Sequence, residues 1–141
     1  MTLGILDVGT NSIHLLIGTL DRRGAFRVKL RAQDLTQLGA GGLVRGRLTT
    51  AAQDRAHCVL ARYAAIMNRC GVERIEAVAT SAVRDAENGA GFVRRVRTRL
   101  KVPLRIISGR EEARLSYFGI LRTHRFRSGA ALIAIGGGSA Q

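Results

Sequence analysis

Aromatic side chains make up only 4% of this 141-residue chain, and tryptophan is absent. Proteins that hold single-stranded nucleic acid by stacking need such rings, so base stacking is not expected here. Proline occurs once, as Pro103, and cysteine twice, as Cys58 and Cys70. Both cysteines fall in one expected helix, where a rise of ~1.5 Å per residue sets them about 18 Å apart. A disulfide needs α-carbons within about 7 Å, which excludes a pair within that helix. With no His or Cys cluster beside them, metal ligation is not indicated either, and both are expected to be packing residues. No apolar run approaches the roughly 18 residues needed to span a bilayer. No basic stretch precedes an apolar segment at the N-terminus, as it would in a secretory signal. A cytoplasmic location with no membrane partner is expected.

Acidic residues are scarce as well, ten against 23 basic ones, and all but two of the basic residues are arginine. A net charge of +13 favours polyanionic partners. It fits an arginine-rich solvated surface equally well. The densest run, "FVRRVRTRLK", places Val93, Val96 and Leu100 on one helical face and spreads Arg94, Arg95, Arg97 and Arg99 around the rest. What the chain has in quantity is apolar surface, 46% of its residues, enough to pack a core.

Apolar periodicity divides the chain into α and β segments. Strands are expected over Leu3–Val8, Ile13–Leu20 and Ala25–Ala32, with a "DRRG" turn between the second and third. After the irregular, glycine-rich "LGAGGLVRGRL", Thr49 or Thr50 caps a long helix to about Cys70. Its apolar positions Ala56, Val59, Leu60, Tyr63, Met67 and Cys70 keep the 3–4 spacing of one buried face, and Gly71 ends it. A strand over Ile75–Ala79, a polar turn "TSAVRDAEN" and a basic helix from about Asn88 to Leu100 follow. Pro103 introduces a strand, Leu104–Ile107, then "SGREEARLSYFGIL" reads as a helix and "AALIAIGGGSA" as a strand running into glycines. A three-strand meander followed by alternating helix and strand makes an α/β domain with a mixed sheet.

Four places have the composition of a chemical site. The turn after Asp7, Gly9-Thr10-Asn11-Ser12, can aim amides and hydroxyls at a phosphate, with Asp7 placed to hold a hydrated Mg²⁺. An ordinary hairpin turn capped by Asp7 is the competing reading. Gly136, Gly137 and Gly138 with Ser139 form a second donor-lined turn at a strand end, and no Lys-Ser/Thr pair follows to make it a P-loop. Thr80, Ser81 and Arg84 lie just past a strand end, where ligand sites of α/β folds collect, and the planar fork of Arg84 suits phosphate oxygens. In "SGREEAR", Ser108 and Glu111 form a capping box, which leaves Glu112 without a structural task. A carboxylate there can orient or deprotonate an attacking water, or it is one more acidic residue at a helix start.

Taken in order, "DVGTNSIHLLIG", "LGAGGLVRGRLT", "ATSAVRDAEN", "IISGREEARL" and "IGGGSAQ" resemble the exopolyphosphatase/guanosine pentaphosphate phosphohydrolase (Ppx/GppA) family over essentially the whole chain. The resemblance implies a ribonuclease-H-like, actin-like ATPase lobe, α/β, with a mixed central sheet flanked by helices. It implies removal of terminal phosphates from polyphosphate or guanosine pentaphosphate by Mg²⁺-assisted attack of water. It aligns Glu112 with the catalytic carboxylate and Asp7 with the aspartate near the metal. Asn11, Ser12, Arg84, Gly137, Gly138 and Ser139 align with the phosphate-binding residues. Two positions depart from the family pattern, since Ala134 and Gln141 stand where it carries Asp and Glu.

The resemblance also implies a division of the chain. Residues 1–125 correspond to an N-terminal lobe, and 126–141 to the first strand and phosphate loop of a second lobe that is cut short. The leading expectation is therefore a phosphohydrolase lobe with weak catalysis or none as this short chain. The alternative is a non-catalytic module that binds polyphosphate or a phosphorylated nucleotide. Self-association into a homodimer through the half-cleft is a further expectation, and nucleic acid ranks low as a partner.

Overall fold

The computed structural model describes residues 1–42, 46–122, 124, 133 and 135–138. Five strands, β1 (Thr2–Val8), β2 (Ser12–Leu20), β3 (Phe26–Leu35), β4 (Arg74–Ala79) and β5 (Leu104–Ile106), form one sheet in the order β3-β2-β1-β4-β5. β1 runs antiparallel to β2, and β2 to β3, whereas β1, β4 and β5 are mutually parallel. The three parallel strands therefore end at one edge of the sheet, beside the β1–β2 turn. Chain segments that carry chemistry leave from that edge.

Strand alternation decides which face is buried. Leu6 and Val8 of β1 and Ile13, Leu15 and Ile17 of β2 all point to one side, each no more than 1% exposed. Helix α1 (Thr50–Arg69) lies in the same core, contributing Ala52, Ala56, Leu60, Tyr63 and Met67. Its ends are cut by local chemistry. The Thr49 hydroxyl accepts from the Ala52 amide at 3.2 Å. At the other end Gly71 adopts φ +61°, the Gly71 amide donates to Asn68 and the Val72 amide to Met67, the two bonds of a Schellman cap. That cap brings Met67 and Val72 against Gly4, where a β-carbon would sit 2.7 Å from the Met67 sulfur, so β1 needs a glycine there.

Helix α3 (Gly89–Leu100) shares that core through Phe92, Val93 and Val96 and leaves Arg94, Arg95, Arg97 and Arg99 exposed, as its period requires. Helix α4 (Gly109–Leu121) starts at the chemical edge and ends near the β2–β3 turn, where the Arg122 guanidinium donates to the Gly24 carbonyl at 3.2 Å. It buries no residue fully, and Leu115, Tyr117, Phe118 and Leu121 remain 41–49% exposed.

Several expectations are corrected. The "TSAVRDAEN" turn contains a four-residue helix, α2 (Ser81–Arg84). β3 continues to Leu35, beyond Ala32. α3 starts where expected, with Asn88 at its N-cap, but the Asn88 side chain makes no cap bond. Its amide instead makes paired bonds, both 2.9 Å, to the Leu48 backbone. Both cysteines are exposed: Cys58 lies off the buried stripe, and Cys70 is the C-cap, where the chain is already leaving the core. The strand expected in "AALIAIGGGSA" and the division at residue 125 fall largely outside the described residues. Among the described residues no helix is long and apolar enough to cross a membrane.

Candidate functional site

The β1–β2 turn is fixed from behind. The Gly9 amide donates to the Ser12 carbonyl at 3.0 Å and closes the turn. The Thr10 carbonyl accepts from Gly39, and the Asn11 carbonyl from both Thr36 and Gln37, at 2.8–3.0 Å. With these carbonyls spent on the segment after β3, the side chains of the turn face the other way. They line an open cleft of about 250 Å³ at the sheet edge.

The cleft gathers residues that are far apart in sequence. Asp7, Asn11 and Ser12 come from the first hairpin, Thr80 and Ser81 from the end of β4, Glu112 from the first turn of α4, and Gly136 and Gly137 from the last described segment. The approach of that segment is close. A β-carbon on Gly137 would overlap the Asn11 side-chain amide, and one on Gly138 would lie 2.7 Å from the Thr10 hydroxyl and 3.0 Å from that of Ser81. Thr10 and Ser81 are buried and hydrogen-bonded to each other at 2.8 Å. The two glycines are thus seated on a ledge made by the first hairpin and α2. Ser139, Ala134 and Gln141 lie outside the described residues.

Arg84 does not line the cleft. It stands behind Glu112, with Nη1 donating to Glu112 Oε2 at 2.9 Å and to the Ile107 carbonyl at 3.4 Å, while Nε donates to Asp85 at 3.1 Å. Both partners of the Arg84–Glu112 pair are mostly shielded, with side chains 22% and 18% exposed. The bond to Glu112 raises the Arg84 pKa above its ordinary value, so the guanidinium is charged at every working pH. The capping box is half realised. Ser108 accepts from the Glu111 amide at 3.1 Å, but the Glu111 carboxylate pairs with Arg105 at 2.8 Å.

Asp7 faces His14 across the β1–β2 ladder, and both line the cleft. Asp7 keeps access to solvent through the open cleft, yet the protein around it displaces part of its water and pushes its pKa above the usual carboxylate value. His14 pulls it back, and the charge of Glu112 raises it further. His14 was not singled out in the sequence. Its Nε2 lies 2.9 Å from the Ser12 hydroxyl, a contact that follows from the short turn and from the two-residue strand period.

Among the described residues no three His, Cys, Asp or Glu side chains form a metal cluster. Mg²⁺ commonly takes only one or two carboxylates and completes its octahedron with water and substrate phosphates. Two carboxylates facing one cleft, one of them resisting ionisation partly because of the other, suit a cation of that kind.

Comparison with known proteins bears on this arrangement. The exopolyphosphatase 1 of Mycobacterium tuberculosis is 34% identical over 140 residues, covering 99% of this chain and 41% of that protein. A solved Aquifex aeolicus Ppx-GppA enzyme superposes with a TM-score of 0.88 at 28% identity, over 99% of this chain and 46% of the other. A solved exopolyphosphatase from Cytophaga hutchinsonii gives 0.83 at 30% identity, over 86% and 39%. The chain thus spans about two fifths of the length of the curated relatives it matches. Its mixed five-stranded sheet is that of the actin-like ATPase fold of these neighbours. With a family model matching residues 19–141 as well, the chain belongs to the Ppx/GppA phosphatase family.

Proposed function

We propose that the chain is the N-terminal lobe, residues 1–125, of an exopolyphosphatase-type phosphohydrolase, with 126–141 supplying the first strand and phosphate loop of a second lobe. The observation that carries this reading is the convergence of the Gly9–Ser12 turn, Gly136, Gly137 and Glu112 in one cleft. Asn11, Ser12 and the amides around Gly137 and Gly138 bind the terminal phosphates of polyphosphate or of guanosine pentaphosphate, with Ser139 as a further phosphate-binding residue. Arg84 turns its charge toward those phosphates once they compete with Glu112.

Glu112 orients a water molecule opposite the terminal phosphoanhydride bond. Without substrate its Oε2 accepts from Arg84, and once the phosphates draw Arg84 away the carboxylate is free to accept the proton. The water oxygen bonds to phosphorus, the anhydride P–O bond breaks, and its electron pair leaves on the shortened chain. Asp7 would hold Mg²⁺, which when bound neutralises charge on the phosphate oxygens. Relatives named exopolyphosphatase support polyphosphate as the substrate class.

A second reading, a non-catalytic polyphosphate- or phosphonucleotide-binding module, is favoured by Ala134 and Gln141. Each removes a carboxylate from the family pattern, and a well-placed acid or base contributes about 10²–10⁴ in rate. Phosphate release from long-chain polyphosphate with Mg²⁺, compared with the Glu112→Gln variant, separates the two. Release that disappears in the variant supports the enzyme. Equal release from both refutes Glu112 as the base, and no release from either, with binding intact, favours the binding module.

A further inference from the structure

Among the described residues, Thr10, Ser12, Thr80 and Ser81 bring their hydroxyls to the cleft. The hydrogens of these hydroxyls are not equally free. Thr80 donates to the Val8 carbonyl at 3.5 Å, and a carbonyl cannot exchange roles with its donor. Thr10 and Ser81 bond to each other at 2.8 Å and are buried against Gly138. Ser12 is different. Among the described residues its hydroxyl has one partner, Nε2 of His14 at 2.9 Å, and an imidazole nitrogen can either donate or accept.

The strand itself makes that contact. Ser12 and His14 are two residues apart on β2, so both project from the same face, and both line the cleft. Asp7 stands opposite His14 on β1. The ring is thus set between the carboxylate proposed for the metal and the hydroxyl proposed for the phosphate, and the chemistry described so far gives it no task.

Two arrangements share the 2.9 Å contact. If Ser12 donates to His14, its hydrogen is spent, and an incoming phosphate meets only its lone pairs. If His14 donates, the Ser12 oxygen is already satisfied as an acceptor, and its own hydrogen is free to point at a phosphate oxygen. A bound anion selects the second arrangement, because a hydrogen bond to a charged acceptor is stronger than one between neutral groups.

We infer that His14 is a positioning residue for Ser12, its Nε2–H donating to Ser12 Oγ and turning the hydroxyl hydrogen toward the terminal phosphate. Nε2 carries a hydrogen in one neutral tautomer and in the charged ring alike, so the arrangement does not depend on the charge of the ring. The inference rests on the proposed function for its ligand and adds a residue that acts without touching that ligand.

The test is a double-mutant cycle read by calorimetry with inorganic triphosphate, without Mg²⁺, at one pH and one salt concentration. Ser12→Ala is expected to bind about tenfold more weakly, the loss of one bond to a charged acceptor. His14→Ala is expected to bind about fivefold more weakly, with little change in melting temperature because the side chain is exposed. In the Ser12→Ala background the same His14→Ala change is expected to cost nothing further. His14→Gln, whose side-chain amide can donate to the same oxygen, is expected to recover most of the affinity. Full affinity in His14→Ala overturns the inference. An equal His14→Ala loss with and without the Ser12 hydroxyl also overturns it and makes His14 a direct ligand of the anion. Failure of glutamine to recover binding overturns it as well, since a donor to Ser12 would then not be what the ring supplies. Unchanged affinity in Ser12→Ala refutes Ser12 as a phosphate ligand, and the cleft assignment with it. A Ser12→Ala loss beside an unaffected His14→Ala leaves the cleft in place and removes only His14.

Discussion

Replacing Glu112 by glutamine should make the cleft bind phosphate more tightly while it stops any turnover. In the free protein Arg84 is held by Glu112 at 2.9 Å, both side chains about a fifth exposed. Two unit charges centred about 4 Å apart attract by ~4 kcal/mol at an effective dielectric of 20 and ~1 kcal/mol in water. Hydrogen bonds to charged groups are worth about 1.5–3 kcal/mol. An arriving phosphate must compete with that pair and also face the Glu112 charge. Glutamine keeps the shape and an acceptor but removes the charge, which releases roughly 1–2 kcal/mol toward anion binding. Triphosphate affinity, measured by titration calorimetry without Mg²⁺ at low salt, should rise about 5- to 30-fold. The gain should shrink at 0.3 M salt as screening takes over. Unchanged or weaker binding would refute the idea that Glu112 restrains Arg84.

Gly138→Ala places a β-carbon 2.7 Å from the Thr10 hydroxyl, so either the 2.8 Å Thr10–Ser81 bond breaks or the glycine segment moves off its ledge. Triphosphate affinity should fall about tenfold, the cost of roughly one lost charge-assisted bond, and full affinity by calorimetry would mean that Gly138 is not part of the cradle. Asp7→Asn should raise the melting temperature at pH 7. Partial desolvation in the cleft, with His14 opposing and Glu112 adding to it, raises the folded pKa of Asp7 above 3.8, so the folded state binds this proton more tightly than the unfolded chain. Stability from this group is full below about 3.8 and is lost as pH rises through the folded value. The gain from asparagine should therefore vanish near pH 3, and millimolar Mg²⁺ should stabilise the parent protein but not the variant. An Mg²⁺ response that survives in Asp7→Asn would remove Asp7 from the metal site.

Much of the fold was legible because its signals are local. The alternation of Ile13, Leu15 and Ile17 gives a one-sided strand, and the 3–4 spacing from Ala56 to Met67, bounded by Thr49 and Gly71, gives α1 almost to the residue. What escaped notice lacks a period. Four residues of α2 are too few to repeat a helical pattern, and β3 beyond Ala32 mixes exposed and half-buried residues where the sheet has its edge. Cys70 keeps the spacing of the buried stripe, but spacing does not register that a Schellman cap has already turned the chain away.

The site divides along the same line. Glycine-hydroxyl turns at strand ends are local, so Asn11, Ser12 and the glycine triplet could be picked out as candidates from sequence. Arg84 and Glu112 were each noticed separately, but their bond joins residues 28 positions apart and depends on how α2 and α4 leave β4 and β5. Position past a strand end and a planar fork mark Arg84 as a phosphate ligand, but neither registers that the fork is already occupied. A cationic group held by the carboxylate proposed as the base is available to the substrate only through competition. That places the binding of phosphate and the freedom of Glu112 to meet water under one equilibrium. A phosphate that draws Arg84 away leaves the Glu112 carboxylate free of its ion pair at the moment a proton acceptor is needed. Chemistry of that kind is a property of the pair and is encoded in neither "SAVRD" nor "SGREE" taken alone.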